Sequence, residues 1–261
     1  MKVVLFCGGL GLRLRDQSQN TPKPMVEIGN RPIIWHLMSY YAYYGHKDFI
    51  LCLGYRGDAF KEYFLNYNET VSNDFVLKSG GREVELTRRD IEDWTIRFVD
   101  TGLHANIGMR LRAVRPHLAG EEMFLANYSD GLTDLPLDAY IRDFEKRDQV
   151  ATFISVRPNS SFHFVQSDAD GTVSAIRPIE DSDQRVNGGF FILRQSIFDY
   201  LGEDEELVHE PFQRLIAERK LHTYRYDGFW QCMDTFKDKQ VLEERVERDD
   251  APWQVWKRSR R

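Results

Sequence analysis

The sequence predicts an α/β protein built on a doubly wound, mostly parallel β-sheet, with a mixed β extension in its second half. Three observations predict it. Four continuous apolar runs, residues 3–6, 48–54, 122–128 and 150–156, read as fully buried strands. Helical patterns lie between them, as in parallel sheets covered on both faces. Beyond residue 157 the chain changes to short strands joined by turn signals.

Taken in order, residues 3–6 run through Cys7 into Gly8 and Gly9. Residues 32–44 form a helix, with Pro32 at its start and Gly45 as its stop. Tyr40, Tyr41, Tyr43 and Tyr44 resemble a stacking surface, but helical spacing with Trp35 and Leu37 favours core and interface packing. A strand over 48–54 and a helix over 58–67 follow. Residues 79–99 alternate at Val84 and Leu86 and again over 95–99, which predicts a hairpin. After the strand 122–128, Leu137, Tyr140, Ile141 and Phe144 repeat at i, i+3, i+4, i+7, an amphipathic helix. In the second half "DADG" marks a turn, "NGGFFILR" reads as a strand, and residues 238–248 end the pattern as a helix before "APWQVW". No linker or repeat interrupts the chain, so one domain over 1–261 is predicted.

Composition narrows the partners. The formal net charge is −6, so the body carries no positive field for nucleic acid, and any anion site must be local. Cys7, Cys52 and Cys232 lack metal spacing and read as reduced thiols, which predicts a cytoplasmic protein. The apolar start is too short for a signal peptide or a membrane span. The basic "WKRSRR" reads as a solvated tail, with an anionic contact in an oligomer as the alternative.

The local anion site is predicted at the first strand. A glycine turn after a parallel strand turns backbone N–H groups toward a phosphate. The dinucleotide fingerprint fails, because a third glycine would fall on Leu14, and the Walker A pattern is absent. Arg13 is left inside the loop, where it offers a planar fork to phosphate oxygens. Lys23 lies between Pro22 and Pro24, which stiffen the backbone on both sides. It is either a preset phosphate contact or a solvated loop lysine. Asp130 follows a buried strand, and ligands of open α/β sheets gather at strand carboxyl ends. Asp234 is ambiguous, since it also fits as a cap for the helix after Thr235.

"GGLGLRL" followed by "PKPMVEIGNRPI" resembles the sugar-1-phosphate nucleotidyltransferase family, and among its members the glucose-1-phosphate cytidylyltransferases most. "KDFILCLGY", "FVDTG", "NGGFF", "GFWQCMDTFKDK" and "APWQVW" extend the resemblance along essentially the whole chain. It implies a Rossmann-like nucleotide-binding half over 1–157, which includes the hairpin 79–99, and a sugar-binding half over 158–261. It also implies the reaction: a sugar phosphate oxygen attacks the α-phosphorus of a nucleoside triphosphate, CTP in the nearest members, and pyrophosphate leaves. Two anions must meet, so the site needs cations, and Mg²⁺ is the implied cofactor. A homo-oligomer is implied as well, and neither a membrane nor a nucleic acid is.

The resemblance also implies roles. Phe6, Cys7, Gly8, Gly9, Leu10, Gly11, Leu12, Asn106, Gly108, Arg110 and Ser129 surround the nucleotide. Arg13 clamps the leaving pyrophosphate, and Lys23 sits at the α-phosphate. Asp130 and Asp234 hold the metal, with Asp130 counted among the catalytic residues alongside Arg13 and Lys23. His163, Arg177, Asn187, Gly188 and Gly189 lie on the sugar-phosphate side.

The chain departs from the family pattern at four places. Leu12 stands where a threonine is usual, which removes a hydrogen bond of about 0.5–1.5 kcal/mol. Arg177 replaces a lysine in Ile176-Arg177-Pro178, and His163 replaces a glycine. Ala105 and Asn106 replace a serine-containing stretch near the base. The leading expectation is CDP-glucose formation. The alternatives are the same reaction with another nucleoside triphosphate or sugar phosphate, or a catalytically weak relative that senses sugar nucleotides. A glycosyltransferase would carry Asp-x-Asp where this chain has Ser129-Asp130-Gly131.

Overall fold

The computed structural model describes residues 1–9, 21–158, 163–179 and 183–258. The first half contains β1 (Lys2–Phe6), the short pair β2 (Glu27–Ile28) and β3 (Arg31–Pro32), α1 (Ile33–Tyr43) and β4 (Asp48–Leu53). It continues with α2 (Gly57–Leu65), β5 (Phe75–Lys78), β6 (Glu83–Leu86), β7 (Thr95–Asp100) and α3 (Ile107–Val114). It ends with β8 (Met123–Tyr128), β9 (Gly131–Thr133), α4 (Leu137–Glu145) and β10 (Ala151–Val156). The second half contains β11 (His163–Ser167), β12 (Val173–Pro178), β13 (Val186–Asn187), β14 (Phe191–Arg194), α5 (Ile197–Tyr200) and α6 (Glu210–Ala217). Then come β15 (Leu221–Arg225), β16 (Trp230–Cys232), α7 (Phe236–Glu247) and α8 (Val255–Arg258).

Among the described residues eight strands form the central sheet, in the order β13-β10-β14-β8-β1-β4-β7, with β15 also on β10. The neighbours β8, β1, β4 and β7 are all parallel. β14 runs antiparallel between β8 and β10, so the second half of the chain extends the sheet of the first.

Residue alternation along β1 and β4 explains the two layers. Val3, Leu5, Phe49 and Leu51 point to one face and pack with Ile34, Leu37 and Met38 of α1 and Tyr140 and Phe144 of α4. Val4, Phe6, Ile50 and Cys52 point to the other and pack with Leu111 and Val114 of α3 and Phe212 and Leu215 of α6. Both faces are apolar because both are covered, which is why these strands read as unbroken apolar runs. Tyr40 and Tyr41 are buried in the first layer, as packing residues.

The predicted hairpin over 79–99 is corrected. The ribbon consists of β5 and β6, paired antiparallel. Residues Thr95–Asp100 leave it and join β4 in parallel as an edge strand of the sheet. An edge strand that is only partly covered alternates just as a hairpin arm does, and alternation does not name the partner. α3, α6 and β15 went unpredicted because, at eight, eight and five residues, they are too short for a clear periodic signal.

The carboxyl ends of β1 and β8 are tied together, because the Ser129 hydroxyl donates to the Phe6 carbonyl at 2.8 Å. β13 and β14 are one strand interrupted at Gly188 and Gly189. The stretch from Asn187 to Ile192 lies opposite the shorter stretch from Thr152 to Ser155, a bulge that redirects the strand beside the same end of the sheet. Among the described residues no helix is long and apolar enough to cross a membrane. Cys7, Cys52 and Cys232 are free thiols.

Candidate active site

A cleft of about 340 Å³ opens at the carboxyl ends of β1 and β8. This is where a parallel sheet leaves room between crossovers. Phe6, Cys7, Gly8 and Gly9 line one side, Ser129 and Asp130 the floor, and Asn187 and Gly188 the far side. Lys23 and Asp234 close it.

Two distant segments supply the carboxylates. β9 follows Asp130 and pairs antiparallel with β16, which precedes Asp234, in a register that sets Gly131 against Cys232. The Met233 amide donates to the Asp130 carbonyl at 2.9 Å, so the two acids leave a shared two-stranded base side by side. Lys23 sits in a 3₁₀ turn, Lys23–Met25, whose Pro24 and Met25 are buried. Its Nζ donates to Asp130 Oδ2 at 2.5 Å and to Asp234 Oδ1 at 2.6 Å. Burial pulls the Lys23 pKa down, but Asp130 and then Asp234 raise it more, and the net shift is upward. The lysine is therefore a cation held by two anions.

The backbone at Asp234 is fixed from below. Asp238 Oδ2 accepts from the amides of Asp234 and Thr235 at 3.0 and 2.8 Å. The Asp238 amide donates in turn to Thr235 Oγ1. This is a capping box, so Thr235 caps α7 and the Asp234 carboxylate is turned toward Lys23. Cys232 Sγ donates to the second carboxylate oxygen of Asp234 at 3.2 Å. Burial first, and the neighbouring Asp234 next, push the Cys232 thiol up to about 12, so it stays protonated and able to donate.

Other predicted residues have different places. Arg110 does not line the cleft. It is 1% exposed and lies behind Gly8, donating to the Leu53 carbonyl and to Thr101 Oγ1. Its burial lowers its pKa. Gly108 faces the loop after α5, where a Cβ would meet the Glu205 carbonyl at 2.1 Å, so close packing explains its glycine. Asn106 caps α3, accepting from the Met109 amide. Packing or capping accounts for each of these three residue types in the free protein.

Gly189 has φ +73°, and a Cβ there would lie 2.5 Å from Asn127 Oδ1. It shapes the bulge beside the cleft. His163 and Arg177 are exposed on the β11–β12 ribbon and do not line the cleft. Leu10, Gly11, Leu12 and Arg13 lie outside the described residues.

Sequence reasoning missed Asn127, Tyr128, Trp230 and Cys232, all of which line the cleft. Trp230 Nε1 donates to the Gly188 carbonyl at 2.8 Å and so ties β16 to the bulge. Asn127 Oδ1 accepts from the Phe190 amide in the core. An asparagine inside the apolar run 122–128 was the available signal.

A sheet-end cleft lined by Gly8 and Gly9, with a lysine between two convergent carboxylates, is the arrangement of an α/β enzyme with its ligand site at the strand carboxyl ends. Residues 2–237 match the nucleotidyl transferase family, and the chain belongs to it. The chain is 37% identical to glucose-1-phosphate cytidylyltransferase of Salmonella typhi over 257 residues, covering 98% of this chain and 100% of that protein. It is 36% identical to a probable glucose-1-phosphate cytidylyltransferase of Bacillus subtilis (strain 168) over 258 residues, with the same coverage. The crystal structure of HddC from Yersinia pseudotuberculosis shares the fold, with a TM-score of 0.65 at 19% identity, covering 94% of this chain and 99% of that one. The chain is a sugar-phosphate nucleotidyltransferase.

Proposed function

We propose that the protein forms CDP-glucose and pyrophosphate from CTP and glucose 1-phosphate, with Mg²⁺. The observation that carries this reading is the convergence of Lys23, Asp130 and Asp234 on one point of a cleft bordered by Gly8 and Gly9. The likeness to two cytidylyltransferases along nearly their whole length supports the choice of substrates.

The residues fit the metal. Two carboxylate oxygens within 2.5 and 2.6 Å of one nitrogen already surround a cation. Mg²⁺ is commonly bound through one or two carboxylates, with water and phosphate oxygens completing its shell. Bound there, the ion would neutralise phosphate charge while the nucleophile approaches.

The rest of the work falls to the chain. The backbone of Gly8 and Gly9 approaches the triphosphate. Lys23, on its proline-stiffened turn, neutralises the α-phosphate as the sugar phosphate oxygen attacks. Asn187 and the Gly188 bulge border the far side, where the sugar would sit. Arg13 is assigned to the leaving pyrophosphate on its place in the loop sequence. The reaction needs no enzyme nucleophile, so positioning and charge neutralisation supply the rate.

Free, buried Cys7 and Cys52 agree with a reducing cytoplasm. Exposed Phe75, Leu77 and Val84 on the β5–β6 ribbon agree with a homo-oligomer. Pyrophosphate release across a grid of nucleoside triphosphates and sugar 1-phosphates tests the function. CTP with glucose 1-phosphate is expected to be fastest, with strict dependence on both. Release from no pair, or release without any sugar phosphate, would refute it.

A further inference from the structure

Lys23 Nζ lies between the two carboxylates that would hold the proposed metal. It bridges Asp130 Oδ2 and Asp234 Oδ1. Two cations a few ångströms apart repel strongly in a partly buried site, so the ammonium and a metal ion exclude each other there. We propose that Lys23 is a built-in stand-in for the metal: it holds the two carboxylates together in the free protein, and cation entry expels it toward the nucleotide. The lysine then reaches the phosphate only when the site is loaded. This rests on the metal-dependent reading above.

The surroundings identify the part that moves. Asp238 fixes the Asp234 backbone, and Cys232 holds the second oxygen of its carboxylate. Asp130 is anchored through its carbonyl by the Met233 amide. The Lys23 backbone is held by buried Pro24 and Met25. What remains free to swing is the lysine stem, four methylenes ending in a compact charge. The acids stay in place, the divalent ion takes over their charge, and the lysine is released to a phosphate. An arginine would make a poorer stand-in to displace, since its planar fork binds carboxylates in pairs.

The test is Mn²⁺ binding, followed by electron paramagnetic resonance at fixed pH and salt, without nucleotide or sugar phosphate. Lys23→Met is expected to bind Mn²⁺ about tenfold more tightly than the wild type, because no charge-assisted contact must be broken first. Lys23→Arg should bind no more tightly than wild type, and Asp130→Asn in the Lys23→Met background should lose the gain. Unchanged or weaker Mn²⁺ binding by a Lys23→Met protein with wild-type circular dichroism overturns the proposal, as does the absence of Mn²⁺ binding in both proteins. A measurement on the wild type guards against misfolding of the variant: Mn²⁺ should increase acetylation of Lys23 by acetic anhydride, read by mass spectrometry. No increase at saturating Mn²⁺ also overturns it. Neither readout needs turnover, so failure here is separable from failure in the pyrophosphate assay.

Discussion

Arg110 packs its guanidinium against Gly8 so closely that a Cβ at residue 8 would lie 2.1 Å from Arg110 Cζ. The arginine is anchored in turn by the Leu53 carbonyl and Thr101 Oγ1. A buried cation thus supports the first glycine of the loop from behind, with the cleft in front.

Gly8→Ala should therefore displace Arg110 or the loop. Overpacking of this kind costs about 1–3 kcal/mol, and turnover should fall because the loop backbone moves. Arg110→Ala alone removes the guanidinium bonds to the Leu53 carbonyl and Thr101 Oγ1, each worth about 1 kcal/mol, while the Leu53 carbonyl keeps its bonds from the Thr101 amide and hydroxyl. In the double variant the clash is gone, so its loss should be smaller than the two single losses combined. Urea unfolding of the four proteins checks this, and simple additivity would show that the contact does not couple the two residues.

Asp130→Asn should abolish most turnover while leaving the fold intact. Removing a carboxylate charge from the proposed metal position should cost several kcal/mol of transition-state stabilisation, on the order of 100-fold or more in kcat. Pyrophosphate release at saturating Mg²⁺ is the measurement. Near wild-type turnover would remove Asp130 from the site's chemistry.

Thr235 and Asp238 share a capping box but should separate functionally. Thr235→Ala loses the cap, at about 1 kcal/mol of stability, with turnover nearly unchanged. Asp238→Ala loses the cap and also the bond from the Asp234 amide, so stability and turnover should fall together. Equal turnover in the two variants would show that the tether on Asp234 is unimportant.

His36 should shape the acid limit of stability. Burial lowers its pKa to about 4, and its ring is placed between the Ile28 carbonyl and the Trp253 indole. Between pH 6.5 and 4 the unfolded chain binds a proton at this histidine and the folded chain does not. Stability from this group is therefore complete above about pH 6.5 and falls as pH drops toward 4, by about 3 kcal/mol at most. Denaturant unfolding from pH 4.5 to 7 should show this slope, and His36→Phe should reduce it by one proton's worth. An unchanged slope in His36→Phe would assign the effect elsewhere.

The sequence alone determined the parallel heart of the sheet, the helices α1, α2, α4 and α7, and the place of the glycine turn. Those features are local: burial on both faces makes β1, β4, β8 and β10 continuous apolar runs, and α4 repeats its apolar residues within one turn and the next. It also pointed to Lys23, Asp130 and Asp234 one at a time, leaving Lys23 open to a solvated reading and Asp234 to a capping one. Only the tertiary structure showed that the lysine is paired with both carboxylates and that Thr235, not Asp234, caps α7. Three-residue strands such as β9 and β16 leave no periodic signal, yet their pairing brings residues 130 and 234 to the same ammonium. The same holds for Arg110, whose sequence shows a charge near a ligand motif while its packing makes it the support behind Gly8. Long-range pairing and burial are properties of the folded whole, because each is fixed by partners a hundred residues away rather than by neighbours along the chain.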